Sequence, residues 1–241
     1  MKIHSIETFG THEGPGIRLV VFLQGCNLNC AYCHNPDTIT LAGGKETSTA
    51  EILELLDHQA PYFTGGGGLT VSGGEPTLQT KALIELFTAA KYKGYNTALD
   101  TNGTILTPEA KKLLGVTDLA LIDLKHYNDT WCQKLTGQGN QVTFKTIEFR
   151  EKSHQVFWIR YVLVPGWTDQ VEHLEAMAKY LSQFKYLERL EILPYHNLGV
   201  HKYKELGLKY RLINIKPTTS NQVEQAVAIL KKHLPERLIK Y

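Results

Sequence analysis

Apolar and polar positions along the chain follow two alternating periods. Residues 17–23, Ile-Arg-Leu-Val-Val-Phe-Leu, form a nearly continuous apolar run of the kind a strand buried on both faces requires. A shorter entry strand over residues 3–9 and a turn over 10–16 precede it. Ser48-Thr49-Ala50-Glu51 reads as a capping box opening a helix, with Ile52, Leu55 and Leu56 on one face. The pair then recurs: strand 69–72 with helix 81–91, strand 96–99 with a helix begun by Thr107 and Pro108, and strand 119–124 with helices near Asp129 and Thr143. Strand 156–164 leads to helix 171–184, and strand 187–193 to an irregular segment and a last helix, 222–233. This alternation predicts an α/β fold with a parallel sheet. About six units are too few to close an eightfold barrel, so the expectation is a partial, open TIM-type barrel, (β/α)6.

The unusual residues gather where these strands end. Cys26 to Cys33 follow the first, Ser72-Gly73-Gly74-Glu75-Pro76 the second, Asp100-Thr101-Asn102-Gly103 the third and Asp123-Leu124-Lys125 the fourth; Arg160 lies within the fifth and Tyr195-His196 just beyond the sixth. Each has a plainer reading alone: Gly73-Gly74 a turn, His196 a satisfied structural histidine, Lys125 or Arg160 a salt bridge at a strand end. A phosphate loop is disfavoured because no Lys-Ser or Lys-Thr closes the glycines. Together the motifs mark one rim, the edge on which barrel folds carry their active sites.

Composition narrows the picture. At 241 residues and 42% hydrophobic, the chain can bury one core, and a single domain over residues 1–241 is expected. A formal charge of +2 with scattered basic residues argues against nucleic acid. No apolar run approaches the roughly 18 residues of a membrane span, and the first residues lack an apolar signal core, so a cytoplasmic protein is expected; a monomer is the separate expectation for its assembly.

Three of the four cysteines, Cys26, Cys30 and Cys33, fall within eight residues, with Cys132 apart and read as structural. This is not a disulfide framework. Three thiolates on a short loop suit an iron-sulfur cube with one open iron, or zinc with a fourth ligand. Cys30-Ala31-Tyr32-Cys33-His34 also matches the haem pattern C-x-x-C-H, but that ignores Cys26 and expects export. A zinc knuckle must use adjacent Cys33 and His34, an awkward pair on one tetrahedral ion.

The loop, three residues then two between cysteines with an aromatic before the third, resembles the cluster loop of radical S-adenosylmethionine (radical SAM) enzymes. Gly14-Pro15-Gly16-Ile17-Arg18, Gln24-Gly25-Cys26, Tyr32-Cys33-His34-Asn35, Ser72-Gly73-Gly74-Glu75, Leu99-Asp100-Thr101-Asn102-Gly103, Asp123-Leu124-Lys125, Trp158-Ile159-Arg160-Tyr161-Val162, Val164-Pro165-Gly166-Trp167 and Pro194-Tyr195-His196 are collinear over almost the whole chain with the pyruvate formate-lyase activating enzymes. Activators of other glycyl radical enzymes often carry further cysteines in a ferredoxin-like insert, which this chain lacks. Glu13 stands where that family has aspartate, and Pro76 where it can have alanine.

The resemblance implies a 4Fe-4S cluster on Cys26, Cys30 and Cys33, whose open iron takes S-adenosylmethionine (SAM). It implies reductive SAM cleavage to a 5′-deoxyadenosyl radical that takes hydrogen from a glycine of pyruvate formate-lyase. Gly73, Gly74 and Glu75 are then expected around the methionine moiety, Lys125 and His196 at the carboxylate and ribose, and Tyr32 and His34 beside the adenosine, with Leu124 in the same wall. Asp100 and Asp123 are expected to share a monovalent cation, sodium or potassium. Arg160 is expected to meet the partner's glycine loop, and a low-potential donor such as flavodoxin or ferredoxin to supply the electron. The alternatives that stay open are another glycyl radical enzyme or a small molecule as substrate, and a zinc-bearing interaction domain.

Overall fold

Strand and helix follow the patterning closely in the computed structural model, which describes residues 1–241. β1 (Lys2–Gly10) runs antiparallel to β2 (Arg18–Leu23), and a two-residue strand, β3 (Lys45–Glu46), borders β1. α1 (Thr49–Gln59) starts at the expected capping box, in which the Glu51 amide donates to Ser48 Oγ and the Ser48 amide donates to Glu51 Oε2. β4 (Gly68–Gly73), α2 (Thr80–Tyr92), β5 (Asn96–Thr101), α3 (Pro108–Val116) and β6 (Leu119–Asp123) continue the alternation. α4 (Asp129–Thr136), α5 (Gln141–Lys152), β7 (Phe157–Leu163), α6 (Val171–Leu181), β8 (Leu187–Pro194), α7 (Val200–Glu205), α8 (Ser220–Leu230) and β9 (Ile239–Lys240) complete it. The last turn expected for α6 is absent, and the segment after β8, expected to be irregular, holds α7.

The chain divides into two compact units, Met1–Asn27 with Thr38–Leu121 and Leu28–Asp37 with Ile122–Tyr241. The strand order is β3-β1-β2-β4-β5-β6 in the first and β6-β7-β8-β9 in the second, β6 being the strand along which the chain passes from one to the other. β2, β4 and β5 are parallel in the register Val21↔Val71↔Leu99, and β7, β8 and β9 are parallel as well. Neither order returns to its first strand, so the fold is α/β with an open parallel sheet, as six strand-helix units predict. Leu19, Val21, Leu69, Val71, Leu83 and Phe87 are fully buried in the first unit, and Ile159, Tyr161, Met177 and Leu190 in the second.

One residue of the apolar run is charged, and the structure explains its place. Arg18 is fully buried; its Nε donates to Thr70 Oγ1 at 2.5 Å. Its two terminal nitrogens donate to the carbonyls of Pro15, Gly66 and Leu69 and to Asn96 Oδ1, at 2.8 to 3.2 Å. Burial pushes the guanidinium down to about 10, so it stays protonated at neutral pH. Arg18 thereby pins the turn before β2 and the glycine run before β4 to the strands between them. The turn is tight: a Cβ on Gly16 would lie 1.9 Å from the Thr64 carbonyl oxygen.

Candidate active site

In the first unit the cysteine loop leaves β2 on a rail of main-chain bonds. The Gly25 amide donates to Thr38 O at 2.8 Å and the Cys26 amide to Ile39 O at 3.0 Å, while the amides of Gly74 and Glu75, at the exit of β4, donate to Leu23 O and Gly25 O at 2.9 and 2.8 Å. This close approach gives the glycines a local reason. A Cβ on Gly73 would stand 2.2 Å from Leu23 N, and one on Gly74 2.0 Å from Gly25 O.

Glu75 is buried beneath this junction. Its Oε1 accepts from the Thr77 amide and from the hydroxyls of Thr77 and Thr101, and its Oε2 from the Asn102 amide, all within 2.9 Å. Desolvation raises its pKa and these four donors oppose the rise. The network continues outward, Asn102 Nδ2 donating to Asn27 Oδ1 at 3.0 Å and Asn27 Nδ2 to Thr104 Oγ1 at 2.7 Å, so the residue after Cys26 is fixed by the end of β5. Asp100, on β5, accepts from Ser72 Oγ at 2.7 Å.

The second unit holds the rest of the loop on the C-terminus of α4. A helix leaves its last carbonyls without intrahelical partners. Here the amides of Asn29 and Ala31 donate to Thr136 O and Leu135 O at 2.9 and 2.8 Å, and Arg211 donates to the carbonyls of Lys134, Leu135 and Asn29. Cys33 closes a turn onto Cys30 O at 3.1 Å. Cys30 packs against an aromatic cluster containing Tyr32, Tyr195, Tyr203 and Tyr210. Burial pushes the Cys33 thiol up, with the Asn35 amide opposing.

Around this half-loop the expected residues take definite places. Lys125 Nζ pairs with Asp123 Oδ2 at 2.6 Å and lies 5.8 Å from the centre of the Tyr32 ring. Burial disfavours the Lys125 ammonium, but Asp123, with Tyr32 and Cys30, outweighs that penalty and holds its pKa well above the usual lysine value. The rings of His34 and His196 stack at 4.0 Å, and His34 Nε2 donates to His196 O at 3.0 Å. His196 Nδ1 and Tyr32 Oη are buried without a hydrogen-bond partner. Desolvation, with His34 second, lowers the His196 pKa. Leu124 is buried, its amide donating to Arg160 O at 3.0 Å; Arg160 Nε lies 3.6 Å from Glu191 Oε2, and Arg189 shares the same carboxylate at 3.1 Å. Next to Lys125, His126 is fully buried, its Nε2 donating to Trp167 O at 3.0 Å and its Nδ1 accepting from the Asn128 amide at 2.9 Å. Motif reading passed over His126, Asn27, Lys202 and Arg211, whose side chains are specified by partners far along the chain.

Neither unit by itself gathers three His, Cys, Asp or Glu side chains as a metal-holding group; Cys26 belongs to the first and Cys30 and Cys33 to the second. The donor set nevertheless fits an iron-sulfur cluster. None of the three cysteines is in a disulfide and all are half-buried, and at Cys33 bonding to iron favours the thiolate that burial alone disfavours. The two orphaned atoms, Tyr32 Oη and His196 Nδ1, suit a polar ligand beside it. Zinc through His34 is weakened, since that ring is already stacked and hydrogen-bonded. Cys132 is buried with its Sγ 3.9 Å from Thr136 Oγ1, a structural position.

Comparison with known proteins places this arrangement. Solved structures that share the fold include a domain of a pyruvate-formate lyase-activating enzyme from Bacteroides vulgatus, with TM-score 0.58 at 23% identity over 69% of this chain and 94% of that one, and Streptococcus suis SuiB bound to the precursor peptide SuiA, with TM-score 0.70 at 15% identity over 93% and 48%. The pyruvate formate-lyase 1-activating enzyme of Escherichia coli (strain K12) is 39% identical over 235 residues, 96% of either chain. The pyruvate formate-lyase-activating enzyme of Clostridium pasteurianum is 42% identical over 238 residues, 98% of either chain. Residues 20–181 match the sequence pattern described as the Radical SAM superfamily, and with relatives this similar over nearly its full length the chain belongs to that superfamily and, within it, to the pyruvate formate-lyase activating enzymes.

Proposed function

We propose that this chain activates pyruvate formate-lyase by removing a hydrogen atom from one of its backbone glycines, leaving a stable glycyl radical. The observation that carries the reading is 39% and 42% identity, over 96% and 98% of the chain, to relatives named for this activity. When bound, a 4Fe-4S cluster supplies one electron to the sulfonium of SAM, whose cleavage yields methionine and the 5′-deoxyadenosyl radical that takes the hydrogen.

The chain's own residues bind and orient. Cys26, Cys30 and Cys33 hold the cluster through three thiolates, as their spacing and the family support. Tyr32 and His34 flank the adenosine; the stacked His34–His196 pair offers a ring face and His196 Nδ1 a buried polar atom for the ribose. Gly73 and Gly74 keep the exit of β4 thin at the methionine moiety. Glu75 shapes that wall from beneath, because its two oxygens already hold four donors. Lys125, beside the Leu124 main chain, meets the methionine carboxylate by sharing its bond to Asp123. A sodium or potassium ion beside Asp100 and Asp123 is supported by the family and by the charge of these carboxylates. Arg160, held toward Glu191, positions the incoming glycine loop.

The partners on this reading are pyruvate formate-lyase and a low-potential electron donor such as flavodoxin or ferredoxin. The chain acts as one radical SAM domain over residues 1–241, a monomer in the cytoplasm; no helix is long and apolar enough to cross a membrane. The test is anaerobic reconstitution followed by SAM, a reductant and pyruvate formate-lyase. Brown protein with stoichiometric iron and sulfide and a glycyl radical doublet in the electron paramagnetic resonance spectrum are expected. Colourless protein carrying zinc would overturn the cluster. SAM cleavage with no radical on pyruvate formate-lyase would move the activity to another substrate.

A further inference from the structure

Resting on that reading, we infer that the outer face of the segment 196–216 is the docking surface for the electron donor, an acidic, low-potential one-electron carrier protein. The inner side of this segment fastens the half-loop that carries Cys30 and Cys33. Arg211 donates to Asn29 O, and Lys202 Nζ reaches Asn35 Oδ1 at 2.9 Å and Asp37 at 3.4 Å. Gly199 lies so close that a Cβ on it would be 2.9 Å from His34 Cα. Tyr203 and Tyr210 belong to the cluster against which Cys30 packs, so side chains of this segment form part of the cover over that cysteine. Electron transfer falls off steeply with distance, and that cover is where a carrier gains most by docking.

The chemistry of the outer face matches such a carrier. Apart from Lys202 and Arg211, which fasten the half-loop, residues 196–216 hold three Lys against one acid, Glu205, in a chain whose net charge is only +2. Lys204, Lys209 and Lys216 are exposed. Between them stand Leu198, Leu206, Leu208 and Ile213, at 72, 47, 51 and 61% exposure, four large apolar residues within sixteen positions. Apolar contacts rimmed by one sign of charge suit a small, short-lived interface steered by opposite charge, the kind carrier proteins use. In the transfer the carrier loses one electron and the cluster gains it; no bond forms and no proton moves.

The test compares Lys204→Glu/Lys209→Glu with Lys112→Glu/Lys185→Glu, which makes the same charge change at exposed sites elsewhere. Reduced flavodoxin is the protein donor and titanium(III) citrate the small one. With titanium(III) citrate, parent and both variants are expected to cleave SAM at equal rates. With flavodoxin at low ionic strength, the Lys204/Lys209 variant is expected to reduce its cluster about tenfold more slowly, and added salt to narrow the gap. Direct titration of flavodoxin onto each protein, read by calorimetry, is expected to show about a tenfold weaker Kd for that variant alone. Equal flavodoxin-driven reduction and equal Kd in all three proteins would overturn the assignment. So would a fall in glycyl radical per SAM cleaved with titanium(III) citrate, which would give the surface to pyruvate formate-lyase instead. Absence of SAM cleavage by the parent with titanium(III) citrate would sink the activity reading, and the titration judges the surface independently of it.

Discussion

At the scale of single residues, His126 shows how a buried group ties stability to pH. Desolvation, with His173 second, pushes its pKa from 6.5 down to about 4. Between pH 6.5 and 4 the unfolded chain therefore binds a proton that the folded chain refuses. The stability this imidazole contributes is complete above pH 6.5 and is lost as pH falls through that window, by about 3 kcal/mol in all. Urea unfolding across that window is expected to show a slope that His126→Gln flattens; an unchanged slope would shift the cause to another group. The cysteines make a sharper division. Cys33→Ala is expected to lose most iron and all SAM cleavage, whereas Cys132→Ala keeps both, read by iron analysis and methionine formed. These cysteines were legible because thiol crowding has few explanations. Arg18 and Arg211 were not: one sat inside an apolar run, the other in a segment without periodicity, and their acceptors lie up to 78 and 182 positions away.

At the scale of elements, the legible parts were those whose ends carry local chemistry. The capping box at Ser48 fixed the start of α1, and Thr107 caps α3 by accepting from the Ala110 amide, as the Thr-Pro pair foretold. β3, β9 and α7 escaped notice because two to six residues are too few to display a period. The glycines at the exit of β4 were expected to make room for a ligand; the structure adds that they make room for the chain itself. Gly74→Ala is accordingly expected to force β4 and the cysteine loop apart, costing about 3 kcal/mol and most of the bound iron. A Tm and iron content equal to the parent's would show that the loop yields without cost.

At the scale of the whole molecule, activity on a protein separates two chemistries that a small-molecule enzyme joins. Arg160→Lys is expected to keep its iron and to cleave SAM, yet to install far less glycyl radical, since a point charge does not reproduce the fork of a guanidinium and a small misplacement of the target hydrogen costs orders of magnitude in rate. The check is a paired assay of 5′-deoxyadenosine and radical spins in the same tubes. Equal losses in both would assign Arg160 to SAM binding, and an unchanged spin yield would leave it only its ion pair with Glu191.

The short, charged β3 has a consequence for how the protein behaves when crowded. β1 is nine residues long, and only Lys2 and Ile3 are paired on its outer side, with Glu46 and Lys45. Two register breaks, between Ile3 and Ser5 and between Glu7 and Gly10, bend the remainder. An unbroken strand of that length would be a template on which other copies could add strands and polymerise. Lys45→Val/Glu46→Val, which leaves the site untouched, is expected to raise light scattering on warming a concentrated solution, with parent-like scattering showing that the bends alone suffice. The least conspicuous strand of the fold thus works as a stopper against runaway assembly.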